Sequence, residues 1–170
     1  MKKVFGVVGW SGSGKTDVVC RLINYYRNKH LCVSSIKHSH HNFEIDKKGK
    51  DSFKQMVSGS NEVVIYNEKK WAMVSSVQKK NIKLEEILEK FSKKTDIIIV
   101  EGLKTSKLPK VEVFYSKIKK PLLFPNDKSI KGIIFDKKIN ELDLCKIPKF
   151  EFNDTKRIAD FITNYLRNKK

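Results

Sequence analysis

Cysteine is scarce in this chain of 170 residues, and its three cysteines, Cys20, Cys32 and Cys145, stand far apart. An odd number at scattered spacing predicts neither a disulfide framework nor a structural zinc site. Because Cys20 and Cys32 fall at apolar positions, we expect reduced, buried thiols. The sequence also lacks an apolar run long enough for a membrane span, and its start shows no signal-peptide pattern. These features predict a cytoplasmic protein that has no membrane partner.

Arginine is rare although the chain is strongly basic. The formal net charge is +17, from 36 Lys and Arg against 19 Asp and Glu. Four of the basic residues are arginine, so 36 − 4 leaves 32 lysines. Arginine is the usual residue for bidentate phosphate contacts and for reading bases, so this composition disfavours a nucleic-acid partner. The seven lysines between residues 104 and 128 instead predict a basic face suited to a small polyanionic substrate.

The most specific motif is a glycine-rich octapeptide near the amino terminus. Its sequence, Gly-Trp-Ser-Gly-Ser-Gly-Lys-Thr, fits the phosphate-binding loop pattern G-x-x-x-x-G-K-S/T at every defined position. An apolar segment precedes it and helical apolar spacing follows it, so the loop amides and a helix start are expected to face phosphate oxygens. We therefore predict that the chain binds a nucleoside triphosphate. The predicted binding residues are Gly9, Trp10, Ser11, Gly12, Ser13, Gly14, Lys15, Thr16 and Asp17.

Two side chains of this motif have predicted roles beyond binding. We expect Lys15 to reach the outer phosphates as a catalytic residue and the Thr16 hydroxyl to ligate Mg²⁺. A second metal ligand is expected at the carboxyl end of a neighbouring strand. Asp96 begins and Glu101 ends an apolar run, so Glu101 is the predicted second ligand. The alternative is that Glu101 only caps its strand in solvent.

The remaining apolar patterns predict one α/β domain over residues 1–170. We expect strands at 4–8, 31–36, 96–101, 111–115 and 130–135, and helices from about residues 17, 81 and 154. Strands that alternate with helices predict a P-loop three-layer sandwich with a mostly parallel sheet.

Residues 62–76 predict a β-hairpin inserted into this domain. Val63, Ile65, Trp71 and Met73 are expected to form one apolar face, which is too large for a small domain to cover. We therefore predict that the hairpin contributes to a homodimer interface. The alternative is that it packs on its own sheet.

Two polar segments follow the second strand. In Lys37-His-Ser-His-His, at residues 37–41, His38 is predicted to contact a ligand at the rim of the site; a solvated loop and a transition-metal site are the alternatives. In the segment from Asp46 to Ser52, Asp51 is predicted to assist Mg²⁺ or to orient a water, with a role at a helix start as the alternative.

The order and spacing of these pieces resemble the molybdopterin-guanine dinucleotide biosynthesis protein B family. Beyond the phosphate loop, the matching pieces are residues 37–41, Gly49-Lys-Asp-Ser52, Glu101-Gly-Leu-Lys104 and residues 109–113. The resemblance implies a P-loop fold, a homodimer and Mg²⁺-dependent GTP binding with weak hydrolysis. It also implies that the protein assists the guanylyltransferase that attaches GMP to molybdopterin.

Further residues are candidates for contacts with these ligands. Asp136, which follows the strand at 130–135, is predicted to accept hydrogen bonds from the guanine N1–H and amino group, although the Asn-Lys-x-Asp arrangement is absent. Lys104 and Lys110 are candidates for the γ-phosphate or a second anion. No arginine stands in an obvious finger position, so we expect at most a slow GTPase. The alternative function is a small-molecule kinase that uses ATP or GTP.

Overall fold

The computed structural model describes residues 3–39, 43–76, 81–143 and 145–168. The chain divides into two compact units, one of residues 1–38 with 92–170 and one of residues 39–91. Each unit contains its own sheet. The single domain expected over residues 1–170 remains a prediction.

The strands are β1 (Lys3–Val8), β2 (Val33–Lys37), β3 (Glu62–Tyr66), β4 (Trp71–Ser75), β5 (Ile97–Glu101), β6 (Lys110–Phe114), β7 (Ile130–Phe135) and β8 (Lys149–Glu151). The helices are α1 (Lys15–Arg27), α2 (Asp51–Val57), α3 (Leu84–Glu89), α4 (Asn140–Asp143) and α5 (Thr155–Asn168). Among the described helices, none is long and apolar enough to cross a membrane.

Six strands of the first unit form one parallel sheet in the order β2-β5-β1-β6-β7-β8. β5 is buried along its whole length, as expected for a continuous apolar run in the middle of a parallel sheet. Val7 of β1 is aligned with Glu101 of β5. The chain therefore leaves β1 next to the acid that ends β5.

The two faces of this sheet are covered differently. α1 and α5 pack on one face around a core that includes Phe5, Leu22 and Ile158, and the Tyr26 hydroxyl donates to the Ala159 carbonyl at 3.0 Å. The opposite face carries a smaller cluster: Phe114, Ile133, Leu142 and Cys145. The predicted α/β fold with a mostly parallel sheet is confirmed.

The second unit contains the expected hairpin, but its faces differ from our prediction. Tyr66 pairs with Trp71 and Val64 with Met73. Since directly opposed residues share a face and neighbours alternate, Trp71 and Met73 lie on the face opposite to Val63 and Ile65. The predicted single apolar face is therefore wrong. The outer face is formed by Val64, Tyr66, Trp71 and Met73.

Several other local features differ from the predictions. α2 begins at Asp51, where the sequence predicted a helix start only as the alternative, and the short elements β8 and α4 are too brief to show a periodic pattern. Cys145 is buried, but Cys20 and Cys32 are exposed, and all three thiols are free. Cys20 is exposed because it lies one position beyond the buried stripe of α1, which includes Val18, Val19 and Leu22.

Candidate phosphate-binding site

The loop between β1 and α1 closes tightly enough to require glycine at its ends. A Cβ at Gly9, where φ is 153°, would lie 2.4 Å from the Val113 carbonyl oxygen and 2.6 Å from Ser13 Oγ. A Cβ at Gly14, where φ is 85°, would lie 2.7 Å from the Phe152 ring. The glycines therefore let the loop lie directly over β6 and beside the segment that follows β8.

Within the loop, Ser13 differs from its neighbours. Its side chain is buried, and its Oγ has no hydrogen-bond partner among the described residues. Ser11 and Gly12 are exposed at the tip. Asp17 follows on α1, where its carboxylate accepts a hydrogen bond from Arg21 Nε at 2.9 Å. All the predicted loop residues therefore stand on one strand–loop–helix segment, and their contacts with a ligand remain predictions.

Lys15 points back across the loop. Its Nζ donates to the Trp10 carbonyl at 2.7 Å. Burial lowers the pKa of Lys15; Glu101 opposes this effect, while the positive charges of Lys104 and Lys37 add to it. A partly desolvated ammonium beside other cations favours an anionic ligand. A phosphate oxygen could accept a hydrogen bond from Nζ in place of the Trp10 carbonyl. Its negative charge would offset both the burial of the ammonium and its repulsion by the other lysines.

Glu101 lies against the first turn of α1. The Thr16 hydroxyl donates to Glu101 Oε1 at 2.7 Å, and Lys37 Nζ lies 3.4 Å from the same oxygen. Glu101 is only 8% exposed, so it does not simply cap its strand in solvent. A hydroxyl and a carboxylate are the oxygen ligands that Mg²⁺ prefers. This pair therefore fits the predicted metal site.

His38 lies beside the same acid through its backbone. Its N–H donates to the Glu101 carbonyl at 2.9 Å, and a Cβ at Gly102, where φ is 88°, would lie 3.1 Å from the His38 carbonyl oxygen. His38 is thus near the predicted metal ligand, and its contact with a nucleotide remains a prediction. His40 and His41, from the same motif, lie outside the described residues.

Trp10 connects the loop to the predicted basic face. Lys104 Nζ lies 4.3 Å from the centroid of the indole ring and Lys120 Nζ lies 5.8 Å from it. The indole Nε1–H donates to the Pro121 carbonyl at 2.7 Å. Lys104 is therefore brought to the phosphate loop, and its contact with a phosphate or a second anion remains a prediction.

Lys110 has a structural role instead of the predicted contact with a ligand. Its side chain is fully buried, and Nζ donates to the carbonyls of Lys104 at 2.7 Å and Ser106 at 2.6 Å. Nζ also lies 2.9 Å from Asp127 Oδ2. An ammonium has three donors, and all three are used. Lys110 therefore holds the Lys104 segment and is closed to ligands.

Two predicted acids have other contacts in the structure. Asp136 Oδ1 accepts from the Ser116 backbone N–H and Oδ2 from the Ser116 hydroxyl, both at 2.8 Å. Asp51, in the second unit, is the first residue of α2 and is exposed, with an ion pair to Lys54 at 3.4 Å. A contact between Asp136 and guanine, and a catalytic role for Asp51, remain predictions.

Arg21 and Phe152 support the loop and are absent from our sequence-based set. Arg21 donates to the Thr155 hydroxyl and, at 2.6 Å, to the Phe152 carbonyl, and its guanidinium lies 5.0 Å from the Phe152 ring centroid. The ring in turn packs against Gly14. The one feature of the sequence that could have pointed to this support is Arg21 itself, because arginine is rare in this chain and Arg21 lies on the helix that follows the loop.

The parallel sheet, the glycine loop between β1 and α1, and the Thr16–Glu101 pair at the carboxyl edge define a P-loop nucleotide-binding protein. The chain belongs to the molybdopterin guanine dinucleotide synthesis protein B family, because the model of that family matches residues 4–136. The resemblance stated above is therefore confirmed.

Individual relatives agree with this assignment. The chain is 35% identical over 167 residues to the molybdopterin-guanine dinucleotide biosynthesis adapter protein of Haemophilus influenzae, covering 97% of this chain and 90% of the relative. The Escherichia coli adapter protein is 26% identical over 170 residues, covering 98% of this chain and 95% of the relative.

Solved structures share the fold. A crystal structure of molybdopterin-guanine biosynthesis protein B matches with a TM-score of 0.74 at 27% identity, covering 97% of this chain and 99% of the other. Bacillus subtilis MobB has the same fold, with a TM-score of 0.75 at 22% identity, covering 98% and 99%.

Proposed function

We propose that this chain is a Mg²⁺-dependent GTP-binding adapter in the biosynthesis of molybdopterin guanine dinucleotide. Its proposed task is to assist a guanylyltransferase in attaching GMP to molybdopterin. The observation that supports this most strongly is the 2.7 Å contact between Thr16 and Glu101 beside Lys15, inside a complete phosphate loop. Family membership supports the pathway, since the relatives from H. influenzae and E. coli are named adapter proteins of that biosynthesis.

The residues of the loop divide the work of binding. The amides from Gly12 to Thr16 and the start of α1 bind phosphate oxygens, and Lys15 neutralises the outer phosphates. Thr16 and Glu101 would hold Mg²⁺, which when bound would offset the charge of the β- and γ-phosphates. Asp136 is the proposed guanine contact, because it follows β7 at the same edge of the sheet as the loop.

Hydrolysis by this site is expected to be slow. Arg21 lies on α1, but its guanidinium is already bonded to Asp17, to Thr155 and to the Phe152 carbonyl. A free arginine finger accelerates hydrolysis by about 10³–10⁵ in P-loop enzymes. Weak GTPase activity therefore suits a protein whose role is to bind and present the nucleotide.

We also propose that the protein is a cytoplasmic homodimer that associates through the outer face of the hairpin. Tyr66 is 82% exposed, Trp71 68% and Val64 54%. Large apolar side chains clustered at the surface are typical of interfaces. The proposed interface therefore excludes Val63 and Ile65, which the sequence had placed in it, because they lie on the other face of the hairpin.

The fluorescence of Trp10 provides the first test. Trp71→Phe removes the other tryptophan, and Trp10 remains within the phosphate loop beside Lys104 and Lys120. This variant is titrated with GTP and with ATP, each with and without Mg²⁺. Tighter binding of GTP, strengthened by Mg²⁺, supports the adapter. Equal or tighter binding of ATP contradicts the guanine selectivity.

A small-molecule kinase is the second candidate, favoured by a cavity that opens beside the loop and could hold an acceptor. A kinase transfers the γ-phosphoryl group to that acceptor, whereas a GTPase transfers it to water. Labelled nucleotide distinguishes them: label recovered only as inorganic phosphate contradicts the kinase.

A further inference from the structure

A cavity of about 860 Å³ opens between the segments that follow β6 and β7. Its lining includes three apolar side chains, Phe114, Leu122 and Phe124, and three charged ones, Lys119, Lys120 and Glu141. Ligand pockets in proteins commonly measure about 300–1,000 Å³. The cavity is therefore large enough for a small molecule.

The wall of this cavity is held in place by a buried acid. Glu112 is fully buried on β6, and its two carboxylate oxygens accept the backbone N–H groups of Leu123 at 2.7 Å and Phe124 at 2.9 Å. A buried carboxylate that accepts two amides fixes the backbone that it binds. Leu122 and Phe124 are thus positioned before any ligand arrives.

The lining combines three kinds of recognition. Phe114 and Phe124 provide aromatic surface for a flat ring. Glu141 provides a carboxylate that accepts hydrogen bonds from ring N–H and amino groups. Lys119 and Lys120 provide positive charge for an anion. We propose that this cavity binds a 2-amino-4-oxo heterocycle that bears an anionic substituent, which is the chemistry of a phosphorylated pterin. The assignment rests on the proposed function, in which such a pterin is the guanylyl acceptor.

The cavity adjoins the phosphate loop through Trp10. Pro121, which also lines the cavity, accepts the indole N–H, and Lys120 approaches the indole ring. A nucleotide on the loop and a pterin in the cavity would therefore be neighbours. This arrangement would let the adapter present both reactants together.

Guanine has the same 2-amino-4-oxo edge as a pterin, so the base of the loop-bound nucleotide is the other source of this chemistry. The two lysines favour the separate pterin. A nucleotide held by the loop places its phosphates on Lys15 and the loop amides. Its base alone would leave Lys119 and Lys120 in the cavity without an anion.

Fluorescent pterins test this assignment directly. The intact protein is titrated with pterin-6-carboxylate and with unsubstituted pterin, followed by fluorescence anisotropy, with and without saturating GTP and Mg²⁺. Calorimetry on the same samples measures the affinity for GTP. We expect saturable binding of pterin-6-carboxylate, weaker binding of pterin, and no competition by GTP.

Two variants locate the binding. Leu122→Trp fills the cavity and is expected to weaken the binding of pterin-6-carboxylate by more than tenfold. Lys119→Asn removes one charge and is expected to weaken it by up to roughly fivefold; asparagine suits the left-handed backbone at this position, where φ is 53°. Lys146→Ala, at an exposed lysine outside the cavity lining, is the control and should change neither affinity.

Each outcome separates the two proposals. Displacement of pterin-6-carboxylate by GTP, or an unchanged affinity in folded Leu122→Trp, overturns the pterin cavity. Absence of pterin binding while GTP still binds overturns the cavity alone. Pterin binding without GTP binding supports the cavity and contradicts the proposed function. If Leu122→Trp does not fold, Lys119→Asn and the competition with GTP decide.

Discussion

Thr16 and Glu101 are 85 residues apart in the sequence, yet the hydroxyl of one donates to the carboxylate of the other at 2.7 Å. The contact exists because β5 lies beside β1 in the sheet, with Glu101 level with Val7. It brings a hydroxyl and a carboxylate to the start of α1. This pair is the main reason to predict that nucleotide binding depends on Mg²⁺.

Glu101→Gln is expected to reduce the effect of Mg²⁺ on nucleotide binding. The amide keeps the size of the side chain but lacks the negative charge that strengthens the binding of a divalent cation. Titration of nucleotide at increasing Mg²⁺ should show a metal response weakened by at least tenfold. Thr16→Ser keeps the hydroxyl and is the matched control. An unchanged metal response in folded Glu101→Gln would contradict the assignment.

Lys15→Ala is expected to abolish triphosphate binding while the fold survives. The side chain supplies the positive charge inside the loop, whereas Lys146→Ala removes an exposed lysine and should bind normally. Binding measured by calorimetry, with folding checked by circular dichroism, provides the comparison. Full affinity in folded Lys15→Ala would refute the site.

The affinity for nucleotide should also depend on pH through Lys15. Burial lowers its pKa below the ordinary 10.5. An anion binds the charged form, so affinity should be constant well below the lowered pKa and should fall as the pH rises through it. Calorimetry at increasing alkaline pH measures this fall. A fall that begins only above 10.5 would contradict the lowered pKa.

Lys110→Met should destabilise the protein by about 3 kcal/mol or more, because removal of the buried ammonium leaves two backbone carbonyls and the half-buried Asp127 carboxylate without their donor. Urea unfolding measures the change in the free energy of unfolding. Lys107→Met, at an exposed lysine of the same segment, is the control and should stay within about 0.5 kcal/mol. Equal stabilities would show that the bonds of Lys110 to Lys104, Ser106 and Asp127 contribute nothing.

Glu112→Gln is expected to destabilise the fold by about 1–3 kcal/mol, since an amide can accept only one of the two backbone N–H groups. Burial raises the pKa of Glu112 above 4.5, while the bonds from Leu123 and Phe124 oppose the rise. The stability that this raised pKa contributes is complete below pH 4.5 and is lost as the pH rises through the folded-state pKa. The difference in the free energy of unfolding between the wild type and Glu112→Gln, measured in urea, should therefore become smaller as the pH rises. A gap that widens would contradict this direction.

Substitution of both Tyr66 and Trp71 by serine is expected to produce monomers. These residues form a directly opposed pair on the outer face of the hairpin, so their removal takes the largest apolar surface from the proposed interface. Ile65→Ser, on the other face, serves as the control. Light scattering at micromolar concentration measures the mass, and a monomeric wild type would argue against the homodimer.

The sequence alone determined the features that depend on local patterns. The phosphate loop follows from glycine, lysine and threonine at set spacing, and the strands around it follow from apolar runs long enough to be recognised. Glu101 was identifiable because it ends such a run. Short elements such as β8 and α4 were missed, since three or four residues show no period. α2 was predicted only as the alternative of a helix start at Asp51, although Phe53, Met56 and Val57 have helical spacing.

Only the tertiary structure decided which of many similar side chains are available to a ligand. Lys104 and Lys110 look alike in a chain of 32 lysines, but folding buries Lys110 among three acceptors and places Lys104 over Trp10. Strand register likewise assigned the faces of the hairpin. Burial, register and hydrogen-bond partners arise from segments far apart in the chain, and local spacing carries no record of them.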